Sequence, residues 1–170
     1  MLCLRRGGAL LLRAAMNQPT DAVGNAGAPR VLFICVRNSA RSQMAEAFLK
    51  RACGVQFQVE SAGLERGIVN PLAITTMKEV GIDISANSTQ SAFEVYKSGK
   101  LFLYVITVCD ETSAEACPVF PGSVTRLHWN IPDPAALTGT WEERLEAVRP
   151  IRQTIADRVD AFCAQTCRRS

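Results

Sequence analysis

The run Arg30-Val-Leu-Phe-Ile-Cys35 constrains the fold of this chain more than any other stretch. It is short, almost wholly apolar and bounded by turn-prone residues. A strand with one wet face alternates polar and apolar residues, so this run reads as a strand buried on both faces. Such strands belong to parallel sheets, which need helical crossovers between them. The rest of the sequence supplies the crossovers. Ser42–Arg51 reads as a helix with Met44, Ala47 and Phe48 on one face and Gly54 just past its end. Val55–Glu60 alternates like a second strand. Asn70-Pro71 places a cap before a helix-starting proline, and Gly81 closes that helix. Thr89–Lys97 reads as a weaker helix, Leu101–Val108 as a strand, Glu111–Ala116 as a helical turn and Val124–Trp129 as a short strand. Ile131-Pro-Asp-Pro134 is a rigid loop. Thr140-Trp-Glu-Glu143 has capping-box spacing and opens a last helix toward Cys163, which Pro150 should kink or split. The expected fold is α/β: a single domain with a central parallel four-stranded sheet and helices on both faces.

With 170 residues the chain is long enough for one domain with a sizeable core. Residues 1–29 read as a flexible tail or targeting segment. Its apolar run Ala9–Leu12 is cut by Arg13 and is too short to span a membrane, and Gln18–Pro29 has linker composition. Residues 30–166 read as the folded, functional domain. The net charge of +3 is scattered, and the aromatic residues, 6% of the chain, are not interleaved with Lys or Arg. Nucleic acid and membrane are therefore not expected partners. Seven cysteines stand at 3, 35, 53, 109, 117, 163 and 167, without a CxxC, and His128 is the sole histidine. That excludes the usual structural metal spacings. An odd cysteine count without a convincing signal peptide points to free thiols in a reducing, cytoplasmic setting. Cys3, Cys53, Cys163 and Cys167 read as small apolar residues.

In parallel α/β sheets chemistry gathers at the carboxyl ends of strands. Cys35-x5-Arg41-Ser42 joins a strand end to a helix start. There the backbone amides of Val36, Arg37, Asn38, Ser39, Ala40 and Arg41 can form a nest for an anion, helped by the helix N-terminus. Arg41 can fork onto two oxygens of a tetrahedral oxyanion. The same field favours Cys35 as a thiolate nucleophile, with Ser42 placed to bond its sulfur. Asn38 suits a left-handed backbone position. The alternative is a buried cysteine followed by an ordinary turn. Cys109 follows a second strand, and Asp133 lies in the loop after a third. Asp133 on its stiff loop fits a general acid, or is merely a turn residue.

The loop and the following Ser42-Gln-Met-Ala-Glu46 resemble the low-molecular-weight protein tyrosine phosphatase superfamily. So do Glu60-Ser-Ala-Gly63, Gly81-Ile-Asp-Ile-Ser85, Val105-Ile-Thr-Val-Cys-Asp110 and Asp133-Pro134. Within it the chain is most similar to thioredoxin-coupled arsenate reductases, from about Arg30 to Phe162. The resemblance implies a catalytic domain that reduces arsenate to arsenite. Cys35 would form a thiol–arsenate adduct, Cys109 would attack Cys35, and Cys117 would attack Cys109 and pass the disulfide outward. It implies no tightly bound cofactor, only an external thiol reductant of thioredoxin or glutaredoxin type. Arg37 stands where related loops often carry Gly, and Ala40 where many carry Cys. Two other functions fit the same loop: a phosphatase using Cys35, Arg41 and Asp133, and a non-catalytic oxyanion-binding module. Asp133-Pro134 is followed by Ala-Ala-Leu-Thr-Gly rather than by aromatic residues, which favours arsenate or phosphate over a phosphotyrosine ring.

Overall fold

A computed structural model describes residues 27–167, and the segment expected to be a tail lies outside them up to residue 26. β1 (Arg30–Cys35) sits inside a four-stranded sheet of order β2-β1-β3-β4, with every neighbouring pair parallel. β2 is Gln58–Gly63, β3 Tyr104–Thr107 and β4 Thr125–His128. Val31 through Cys35 are all buried, as expected of a strand covered on both faces. On one face Val31 and Phe33 pack with Val59, Ile106 and Trp129. That face lies under α1 (Arg41–Cys53) and α5 (Trp141–Cys167). On the other face Leu32, Ile34 and Val105 pack with Ala92 and Val95 of α3 (Ala92–Lys97), and with Phe102, Cys117 and Phe120. α2 (Pro71–Glu79) and the short α4 (Glu111–Glu115) complete the order.

The start and close of α2 agree with the sequence reading. Asn70 Oδ1 accepts from the Leu72 amide at 2.9 Å, and Gly81 has φ +76°. Ser91 and Glu94 form a capping box, so α3 begins at Ala92 rather than at Thr89. β2, β3 and β4 start later than expected. Gln56 donates its amide to the Cys53 carbonyl at 2.9 Å, so the segment before β2 is spent on the turn out of α1. Leu101 is exposed, and Phe102 is buried in the second cluster ahead of the ladder, so β3 starts at Tyr104.

Two expectations are corrected: Pro150 does not split the last helix, and two of the cysteines are not free. α5 runs unbroken through Pro150. Val148, Ile151, Ile155, Val159 and Phe162 make one buried stripe on both sides of the proline. At about 1.5–3 kcal/mol for each buried side chain, that stripe outweighs an interior proline at roughly 3 kcal/mol. Arg149 and Arg152 also bind Glu79 of α2. The second correction concerns Cys53 and Cys163, which are not free thiols. α1 and α5 bring positions 110 residues apart to a Cα–Cα distance of 6.5 Å, and a disulfide joins them. No sequence spacing announces this pair, because it is made by helix packing. Among the described residues no helix is long and apolar enough to cross a membrane.

Candidate active site

β1 delivers Cys35 to the carboxyl edge of the sheet, and α1 starts at Arg41. The loop between them is tied from behind. The carbonyls of Cys35, Val36 and Ser39 accept from the amides of Leu64, Glu65 and Asn70 at 3.0, 2.9 and 2.8 Å. Bonds of this kind occupy a loop's carbonyls and leave its amides for an anion. Gly63 ends β2 against the loop backbone. A Cβ there would lie 2.5 Å from the Asn38 nitrogen, so no larger residue fits.

Asn38 holds the interior of the loop. Its φ is +51°, the left-handed conformation expected of it, and it is fully buried. Its amide donates to Ser42 Oγ at 2.9 Å and Ser61 Oγ at 2.8 Å, while its oxygen accepts from the Gln90 amide at 3.0 Å. Ser61 in turn donates to Glu46. Ser42 Oγ accepts from Asn38 and lies 3.0 Å from Cys35 Sγ, within hydrogen-bond reach, and it can donate to the sulfur when that is a thiolate. The Asn38 side chain thus braces Ser42 from behind the loop rather than facing the cleft.

Arg41 is 4% exposed. Its Nη1 donates to the Ile131 carbonyl at 3.0 Å, and its Nη2 lies 3.0 Å from Asp133 Oδ2. The other Asp133 oxygen accepts from the Ala135 amide at 3.0 Å, capping a 3-10 turn over Pro134–Ala136. The stiff loop therefore holds Asp133 at the mouth of the site. A cleft of about 280 Å3 opens between Cys35, Val36, Arg37, Ser39, Ala40 and Arg41 on one side and Asp133, Ala135 and Ala136 on the other. None of these lining residues is aromatic. The volume suits a small oxyanion, and the cleft is lined by Arg37 and by Arg41, the latter paired with the Asp133 carboxylate.

Cys35, Cys109 and Cys117 are unpaired thiols. In the ladder Ile34 pairs with Thr107, and the Val108 amide donates to the Ile34 carbonyl at 2.8 Å. Cys35 and Cys109 thus leave adjacent strands at the same edge. Cys109 is fully buried. Burial pushes its thiol up to about 12; the charges of Cys117 and Cys35 add to this, and the Arg41 guanidinium opposes it. Cys117 is only 7% exposed, packed with Phe102 and Phe120 just beyond α4. Burial pushes its thiol up to about 11 against the pull of Arg126. Neither Cys109 nor Cys117 lines the cleft.

The structure thus brings Cys35, Arg41, Ser42 and Asp133 together. Sequence reasoning missed Ser61, Glu46 and Gln90, which brace Asn38, and the Ile131 carbonyl, which fixes Arg41. Ser61 had a signal, since it stands near the carboxyl end of a strand. A backbone carbonyl has none. Among the described residues no group of three or more His, Cys, Asp or Glu side chains is placed to hold a metal.

The family model of the low molecular weight phosphotyrosine protein phosphatase matches residues 30–169. The chain is similar to an arsenate reductase of Halalkalibacterium halodurans, with 40% identity over 133 residues, 78% of this chain and 93% of the relative. It is also similar to arsenate reductase 1 of Staphylococcus epidermidis, with 41% identity over 132 residues, 76% and 96% of the two chains. Among solved structures, an arsenate reductase in the phosphate binding state superposes with a TM-score of 0.64 at 34% identity. That superposition covers 81% of this chain and 98% of the other.

Proposed function

The chain belongs to the low molecular weight phosphotyrosine protein phosphatase family, and from that premise we propose that it reduces arsenate to arsenite through a three-cysteine relay. Residues 30–166 form the catalytic domain. Arsenate sits in the Val36–Arg41 loop with Arg41 forked on its oxygens. The Cys35 thiolate attacks arsenic, and Asp133 protonates the departing oxygen, which leaves as water. Cys109, as thiolate, then attacks Cys35 Sγ. The electron pair of the arsenic–sulfur bond stays on arsenic, and arsenite departs, leaving a Cys35–Cys109 disulfide. Cys117 attacks Cys109, frees Cys35 and holds the oxidation as Cys109–Cys117. An external dithiol of thioredoxin or glutaredoxin type, present in a reducing cytoplasm, closes the cycle. The relay calls for no resident cofactor.

One observation carries this reading over hydrolysis: two further unpaired, buried thiols accompany Cys35, and Cys109 leaves the neighbouring strand at the same sheet edge. A phosphatase needs only Cys35, Arg41 and Asp133. The absence of an aromatic wall in the cleft supports a small inorganic substrate. The test is a single turnover without added reductant, using Cys117→Ser. One arsenite per chain should be released, and mass spectrometry should find Cys35 bonded to Cys109. Hydrolysis of p-nitrophenyl phosphate without arsenite release would favour a phosphatase. Oxyanion binding with neither activity would favour a binding module.

A further inference from the structure

Cys117 must become a thiolate to attack Cys109, yet its surroundings oppose ionisation. It is packed among Leu32, Ile34, Val105, Phe102 and Phe120 on the α3 face of the sheet. The cation that serves it is found on the edge strand. In the β3–β4 register Val105 pairs with Arg126. Paired residues of parallel strands present their side chains to the same face. Arg126 thus projects on the face that carries Val105 and Cys117. Two neighbours support this placement. Val124, two residues earlier on that face, packs against the Cys117 cluster. His128, two residues later, bonds Thr107 Oγ1 at 2.8 Å. Leu127, between them, packs on the opposite face.

Among the described residues the Arg126 side chain enters no ion pair or hydrogen bond. An exposed arginine with no carboxylate partner, beside a buried thiol, keeps its charge available to that thiol. The other titratable groups around Cys117 do not offer this. Glu111 and Glu115 of α4 are anionic. Cys35 and Cys109 become anions when they ionise. Glu94 of α3 is engaged with the Ser91 amide and Arg66, and Lys97 is exposed on α3. His128 on β4 is held to Thr107 Oγ1.

Resting on the relay described above, we propose that Arg126 is a positioning residue for its last internal step. It stabilises the Cys117 thiolate so that Cys117 attacks Cys109 Sγ. In this exchange the Cys109–Cys117 bond forms, the Cys35–Cys109 bond breaks, Cys35 leaves as a thiolate and the Cys117 proton passes to solvent. No electron enters or leaves.

After a single arsenate turnover, alkylation and peptide mass spectrometry give the rate at which Cys35–Cys109 converts to Cys109–Cys117. Arg126→Gln should slow that conversion by roughly tenfold at neutral pH and move its pH profile up by about one unit. Arg126→Lys should restore most of the rate. An unchanged rate and profile in Arg126→Gln would overturn the proposal. A second arm does not depend on arsenate. In a Cys35→Ser/Cys109→Ser background, the pH dependence of alkylation at the Cys117 peptide should shift upward with Arg126→Gln. An unshifted profile there would also overturn it. Failure of the unsubstituted protein to release arsenite would instead overturn the relay, and the alkylation arm would still decide the role of Arg126.

Discussion

Cys35 and Cys109 leave the carboxyl edge of the sheet, with Cys117 buried on its α3 face, and Cys53 and Cys163 join the two long helices elsewhere. α1 starts at the loop and carries Cys53 twelve residues beyond Arg41, about 18 Å along the helix. All five cysteines are buried, so burial does not separate the two sets. Their neighbours do. At the carboxyl edge Cys35 faces the Ser42 hydroxyl, and Arg41 lends its charge to the site. At the far end Cys53 and Cys163 sit with Phe57, Val159 and Phe162 of the main core. The disulfide links the two long helices that cover one face of the sheet. One set lies where a strand end, a helix start and an arginine meet; the other lies where two helices meet. What a buried cysteine does here follows from which end of the sheet holds it.

The sharpest way to break that comparison is Cys35→Ser. Arsenate and phosphoester turnover should fall to the uncatalysed rate, while the Cys53–Cys163 disulfide still forms by mass spectrometry. Asp133→Asn should follow, slowing the first chemical step by roughly 10²–10⁴-fold in rapid-quench arsenite release. The far end should respond in the opposite sense. Cys53→Ser/Cys163→Ser should keep its turnover number but lose about 2–4 kcal/mol in urea unfolding. A large loss of turnover in that variant would break the comparison. A further effect concerns pH. Cys109 and Cys117 bind protons more tightly folded than unfolded, so the stability this contributes is present below the ordinary thiol value of 9.0 and falls as pH rises toward about 12 and 11, respectively. Unfolding midpoints should decline over that alkaline range in the wild type and less steeply in Cys109→Ala/Cys117→Ala.

Much of this was legible because local physics decides it. The apolar run of β1, the Asn70-Pro71 start, the left-handed Asn38 and the Cys35-to-Arg41 spacing are each read within a few residues. Asp133 needed the resemblance to rise above a turn. The Cys53–Cys163 bond, the brace of Ser61 and Glu46 on Asn38, and the burial of Cys117 join residues far apart in the chain, which local pattern does not report. Pro150 misled because its cost is local, whereas the stripe from Val148 to Phe162 that outweighs it is tertiary.

The central claim is that the carboxyl-edge thiols convert a phosphatase-like site into a reductase. It is tested most directly by Cys109→Ser, assayed for arsenate turnover with thioredoxin, its reductase and NADPH beside p-nitrophenyl phosphate hydrolysis. Loss of arsenate turnover with phosphoester hydrolysis intact is the predicted result. Arsenate turnover undiminished by Cys109→Ser would contradict the relay.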